Sequence, residues 1–161
     1  MRFIVCSSDH PLPVRFEPDG PTVRLGPGEG ALTVEWTADG GEVRHEPGQL
    51  VIVSPEPDRP VRYWRWDSPD DERVFRDSPD GGITPVTFTV VTGGPECTVE
   101  FEPSGMPVDT VAGDRLTVTW QGDRGELMHD PEWLIVGTPS SGPVRRTTAL
   151  GQDGEEIDIA F

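Results

Sequence analysis

The chain has 161 residues, of which 13 are basic and 29 acidic, for a net charge of −16. Such acidity repels nucleic-acid phosphates and anionic membranes and leaves a basic protein as the partner that long-range attraction favours. All the basic residues are arginine and asparagine is missing, which excludes lysine Schiff-base chemistry, a P-loop lysine and an N-glycosylation acceptor.

Taken in order, the chain reads as short strands. Apolar residues alternate with period two, and turn formers such as Asp19-Gly20-Pro21, Gly26-Pro27-Gly28, Asp39-Gly40-Gly41 and Pro47-Gly48 interrupt them every eight to twelve residues. Strands are predicted near 2–6, 13–17, 22–25, 31–37, 42–46, 49–54 and 60–66. A second series follows near 86–92, 97–102, 107–111, 115–121, 126–129, 133–137, 143–148 and 155–160. Between them, residues 67–83 form an acidic linker with Asp-Ser-Pro-Asp written twice, and Ser68 and Pro69 would start a short helix to about Arg76. The start, Met1-Arg2-Phe3-Ile4-Val5-Cys6, turns polar at Ser7, and no run of 18 apolar residues occurs. The expectation is therefore a cytoplasmic chain with neither signal peptide nor membrane span, in which Cys6 and Cys97 are reduced thiols.

The two series are versions of one sequence. Sliding the chain by 85 residues sets Phe3 on Phe88, Val5 on Val90, Val14 on Val99 and Phe16-Glu17-Pro18 on Phe101-Glu102-Pro103. After a one-residue deletion, Leu32-Thr33-Val34 meets Leu116-Thr117-Val118, Trp36 meets Trp120, and His45 and Pro47 meet His129 and Pro131. The fold class is all-β: an internal duplication giving two homologous Greek-key β-sandwich units, 1–66 and 84–161, packed with pseudo-two-fold symmetry.

The run Phe101, Pro103, Val108, Gly113, Leu116-Thr117-Val118, Trp120 and His129 resembles the first half of a cupredoxin, up to its first histidine ligand. The resemblance implies a Greek-key sandwich. It does not extend to copper, because the Cys, second His and Met that such a site needs do not follow His129. No metal or cofactor is expected.

Catalytic templates are missing: there is no G-x-S-x-G, H-E-x-x-H or G-x-G-x-x-G, and Ser8-Asp9-His10 is read as a mere adjacency. His45 and His129 occupy equivalent positions and share a strand face with Val43 and Leu127, so each side chain is expected toward or beside the core. They are either structural rings bonded to a loop backbone or paired sites, one per half. The largest difference between halves is Arg62-Tyr63-Trp64-Arg65-Trp66, which becomes Arg145-Arg146-Thr147-Thr148-Ala149. Trp64 and Trp66 beside Arg62 and Arg65 would fill the junction between halves, anchor a protein partner or stack a planar ligand. The expected function is a non-catalytic binding protein for a protein partner. The alternative is a small-molecule or sugar binder, or a lyase- or isomerase-type enzyme, with a pocket near His45 or His129.

Overall fold

A computed structural model describes residues 2–18, 20–27, 31–35, 40–56, 58, 61–65, 85–102, 104–121, 124–137 and 147–157. The short helix expected near Ser68 and the linker 67–83 lie outside these residues. The first half supplies β1 (Arg2–Ser7), β2 (Leu12–Glu17), β3 (Thr22–Leu25), β4 (Leu32–Glu35), β5 (Glu42–Glu46), β6 (Gln49–Val53) and β7 (Arg62–Arg65). The second supplies β8 (Pro85–Thr92), β9 (Glu96–Glu102), β10 (Met106–Val111), β11 (Arg115–Gln121), β12 (Arg124–His129), β13 (Trp133–Gly137), β14 (Thr147–Leu150) and β15 (Glu156–Ile157). Their burial follows the sequence alternation: Leu12, Val14 and Phe16 are buried along β2, as are Cys97, Val99 and Phe101 along β9. No helix long and apolar enough to cross a membrane occurs among the described residues.

The strands form two sheets, a seven-stranded one in the order β10-β9-β13-β12-β1-β4-β7 and an eight-stranded one in the order β15-β14-β11-β8-β5-β6-β2-β3. Each sheet draws strands from both halves. Exchanging every strand for its aligned counterpart (β1 with β8, β2 with β9, onward to β7 with β14) turns the first order into the second, to which β15 adds an edge. Turn chemistry runs in step as well. The Gly20 amide donates to the Phe16 carbonyl as the Gly105 amide does to Phe101. A Cβ at Gly20 would lie 2.6 Å from Phe16, while Gly105 holds a φ of +65°.

Two parallel seams join the halves. β1 lies beside β12 with Val5 opposite Leu127 and Ser7 opposite His129. β5 lies beside β8 with Val43 opposite Val90 and His45 opposite Thr92. A slip of one residue at either seam would turn the buried set outward, so the pattern of inward Phe3, Val5 and Leu127 fixes the register. One hydrophobic cluster runs under both sheets and both halves, including Phe3, Leu12, Val34, Ile52, Phe88, Phe101 and Leu127.

Because the seams and the cluster are shared, the expected unfolding is one cooperative transition for the whole chain, seen identically by tryptophan fluorescence and far-ultraviolet circular dichroism in urea. Leu127→Ala, which hollows the β1–β12 seam at a fully buried residue, should lower stability by about 2–5 kcal/mol while keeping the transition single. Two separated transitions, or a loss well under ~1 kcal/mol, would contradict the shared core.

Candidate functional site

His45 ends the inward row of β5 and His129 that of β12, one in each sheet, and the seams bring the two ends together. The rings stack with centroids 4.5 Å apart and planes 26° from parallel, and neither has any solvent-accessible surface. Each ring reaches across to the other hairpin. His45 Nε2 donates to the Asp130 carbonyl at 2.6 Å, and His129 Nε2 donates to the Glu46 carbonyl at 2.8 Å. Glu46 and Asp130 are themselves the residues that follow the two histidines, so the exchange is reciprocal. The strand ends are tied symmetrically too: the Ser8 amide donates to the His129 carbonyl at 3.2 Å and the Gly93 amide to the His45 carbonyl at 2.7 Å.

These bonds settle the tautomers. A carbonyl oxygen only accepts, so in both rings the proton sits on Nε2 and the lone pair on Nδ1. Burial pushes both imidazoles down in pKa, against the pull of the carbonyls they bond; His129, with His45 and His10 as further positive neighbours if charged, falls to about 4. Both rings are therefore neutral at pH 7. The structure unites the two histidines in one buried contact instead of giving each half its own open site.

A third histidine completes the group. His10, in the loop between β1 and β2, lies with Nε2 at 3.2 Å from His129 Nδ1. Since His129 Nδ1 can only accept, His10 Nε2 carries the proton and, in the neutral ring, its Nδ1 presents a lone pair to the other side. On that side Ser8 Oγ stands 3.0 Å from His10 Nδ1, 3.0 Å from Asp130 Oδ2 and 3.4 Å from Asp9 Oδ1. The Glu132 amide donates to Asp130 Oδ1 at 3.2 Å, which aims the other carboxylate oxygen at Ser8. Ser8, His10 and His129 follow the order of a nucleophile, base and orienting group. The orienting member is a neutral imidazole, however, and cannot stabilise a His10 imidazolium as a carboxylate would, while Asp130 competes for the Ser8 hydroxyl proton. Acyl-transfer chemistry is poorly served by this arrangement; holding a proton or a cation is well served.

The aromatic pair expected on the last strand of the first half sits elsewhere. β7 is the outer strand of the seven-stranded sheet, separated from β12 by β1 and β4. All four of its residues are exposed, Trp64 by 40% and Tyr63 by 38%. The Arg2 guanidinium lies 5.6 Å from the Trp64 ring centre, Tyr63 stacks on Phe16 at 4.6 Å, Arg62 stands opposite Glu35, and Arg65 donates to the Arg24 carbonyl. Trp66 lies outside the described residues. Trp133, 41% exposed, borders a cleft of about 430 Å³ with Pro47, Pro95, Cys97 and Pro131. Neither Cys97 nor Cys6 is in a disulfide, and burial pushes the Cys97 thiol up to about 11, so it is no ready nucleophile.

Sequence reasoning passed over His10, Ser8, Asp9 and Asp130. A signal was present in the sequence: at the slide of 85 residues that sets Phe3 on Phe88, Ser8-Asp9-His10 meets Gly93-Gly94-Pro95. Only one half carries the polar loop. No protein-family model, curated protein or solved structure matches this chain.

The depressed histidine gives stability a pH dependence of known sign. Folded His129 binds its proton only near pH 4, whereas an unfolded histidine does so near 6.5. Its contribution is thus fully present above about pH 6.5 and is lost as the pH falls through about 4, amounting to ~3 kcal/mol over that window. Urea unfolding at pH 7.0 and pH 4.0 should show this loss in the wild type and a smaller one in His129→Gln, which keeps an N–H for the Glu46 carbonyl. Equal losses in the two proteins would contradict a buried neutral His129.

Proposed function

We propose that the chain is an internal duplication of a Greek-key sandwich unit and works as a non-catalytic binding protein of the cytoplasm that recognises a protein partner. The matched strand orders and the reciprocal histidine bonds support the duplication. The observation that carries the binding reading is β7: an outer strand with Tyr63 and Trp64 exposed between Arg62 and Arg65, in a stretch whose counterpart in the other half has no aromatic residue.

Tyrosine, tryptophan and arginine are the residues on which interface energy concentrates, and an open strand edge offers its amides and carbonyls to an extended partner segment. Within the described residues β7 pairs on one side only, with β4. The net charge of −16 steers a partner that is basic as a whole. Arg62 and Arg65, with Arg2 beside Trp64, then favour a docking segment that presents carboxylates or carbonyls. The zero exposure of His45 and His129 counts against the alternative of an enzyme acting through those two rings.

A photo-crosslinking residue in place of Trp64, expressed in the native host, should capture a discrete protein, and the same residue in place of exposed Val111 should not. Trp64→Ala should leave the melting temperature nearly unchanged and weaken binding of that protein by about 2–4 kcal/mol. Equal capture from both positions, or a purified chain that carries a bound metabolite and no protein, would contradict this reading.

A further inference from the structure

The loop after β1 and the turn after β12 bring four oxygen and nitrogen ligand atoms close together. Ser8 Oγ lies at 3.0 Å, 3.0 Å and 3.4 Å from His10 Nδ1, Asp130 Oδ2 and Asp9 Oδ1, and the last is 4.0 Å from His10 Nδ1. Asp9, His10 and Asp130 each offer one atom within 4.8 Å of the others. Ligands held at about 2.0–2.2 Å from a zinc-like ion stand roughly 3.0–3.5 Å from each other. Three of these four separations already match, and the longest involves Asp9, whose side chain is 98% exposed and free to swing inward.

Proximity of acids alone would mean little. The second observation is the direction of the His10 lone pair, which is dictated from the core. The Glu46 carbonyl holds the proton of His129 on Nε2, His129 Nδ1 holds the proton of His10 on Nε2, and His10 Nδ1 turns its lone pair to the side of the two carboxylates, where Ser8 Oγ meets it at 3.0 Å. This is how metal-binding histidines are set, with the far nitrogen bonded to an oriented acceptor. Asp130 is set likewise, its Oδ1 held by the Glu132 amide.

We propose that Ser8, Asp9, His10 and Asp130 bind one divalent transition-metal ion. One imidazole nitrogen with oxygen donors and no thiolate selects ions such as Zn²⁺, Mn²⁺ or Co²⁺ over Cu⁺, and the nitrogen disfavours Ca²⁺. The ion ties the β1–β2 loop of one half to the β12–β13 turn of the other, across the seam. This departs from the expectation of no metal, and it is independent of the partner surface on β7.

The probe is Co²⁺ added to the full chain after chelator treatment, followed by visible absorption and by the shifts of the His10 ring protons. Saturation at one equivalent is expected, with a Kd at least tenfold weaker in Asp9→Asn, His10→Gln and Asp130→Asn, and with Ca²⁺ failing to compete at equal concentration. Asp9 is almost fully exposed, so Asp9→Asn keeps the comparison free of folding defects. His129→Gln, which removes the ring nitrogen that orients His10 and keeps an N–H for the Glu46 carbonyl, should weaken Co²⁺ binding by about tenfold or more. No saturable binding by the wild type, or binding by Asp9→Asn and Asp130→Asn as tight as the wild type's, would overturn the site.

Discussion

Two imidazoles sealed between the sheets, each bonding the carbonyl beside the other, hold the rest of the arrangement in place. Where β5 and β12 end, the Glu46 and Asp130 carbonyls face the two rings, and that of Asp130 also accepts from the Trp133 amide at 3.3 Å. A typical hydrogen bond contributes ~1 kcal/mol net. His45 and His129 supply these two donors from inside the core. They do so in the neutral form only, because burial makes a charged ring there costly. The same pair of bonds therefore closes both hairpins, fixes both tautomers and ties one half to the other.

What surrounds this pair is unequal. Around the stacked rings the backbone repeats itself, with Ser8 and Gly93 donating to matching carbonyls. The side chains do not repeat. One flank carries Ser8, Asp9 and His10 facing Asp130; the other carries Gly93, Gly94 and Pro95, where the cleft bordered by Trp133, Pro47 and Pro131 opens. A symmetric frame thus presents two unlike corners, the second lined by prolines and Trp133 together with Glu96, Thr98 and Glu132. The aromatic gain on β7 is a second inequality, at the far edge of the same sheet. Under the proposed duplication, the frame is what both copies kept and chemistry is what one copy gained.

Much of this is legible in the sequence. Alternation in Leu32-Thr33-Val34 and Leu12-Pro13-Val14 located the strands because one buried face imposes period two, and glycine–proline punctuation located the turns. Strand parity also sent His45 and His129 inward. What the pattern could not tell was which strand would lie beside which. Ser7 and His129 are separated by most of the chain, and a seam between them depends on the packing of both sheets at once, not on local periodicity. Without the seam, three histidines scattered at positions 10, 45 and 129 look unrelated. Ser8-Asp9-His10 reads as an adjacency for the same reason: its fourth member, Asp130, arrives only through β12.

The histidine side chains can be observed directly. Long-range ¹⁵N–¹H correlation spectra of the full chain at pH 7 report, for each ring, which nitrogen bears the proton. His45 and His129 should both appear as the neutral tautomer protonated on Nε2, and His129 should stay so as the pH is lowered until it nears 4. An imidazolium at pH 7 in either residue, or a proton on Nδ1 of His129, would contradict the reciprocal bonding on which this account of the molecule stands.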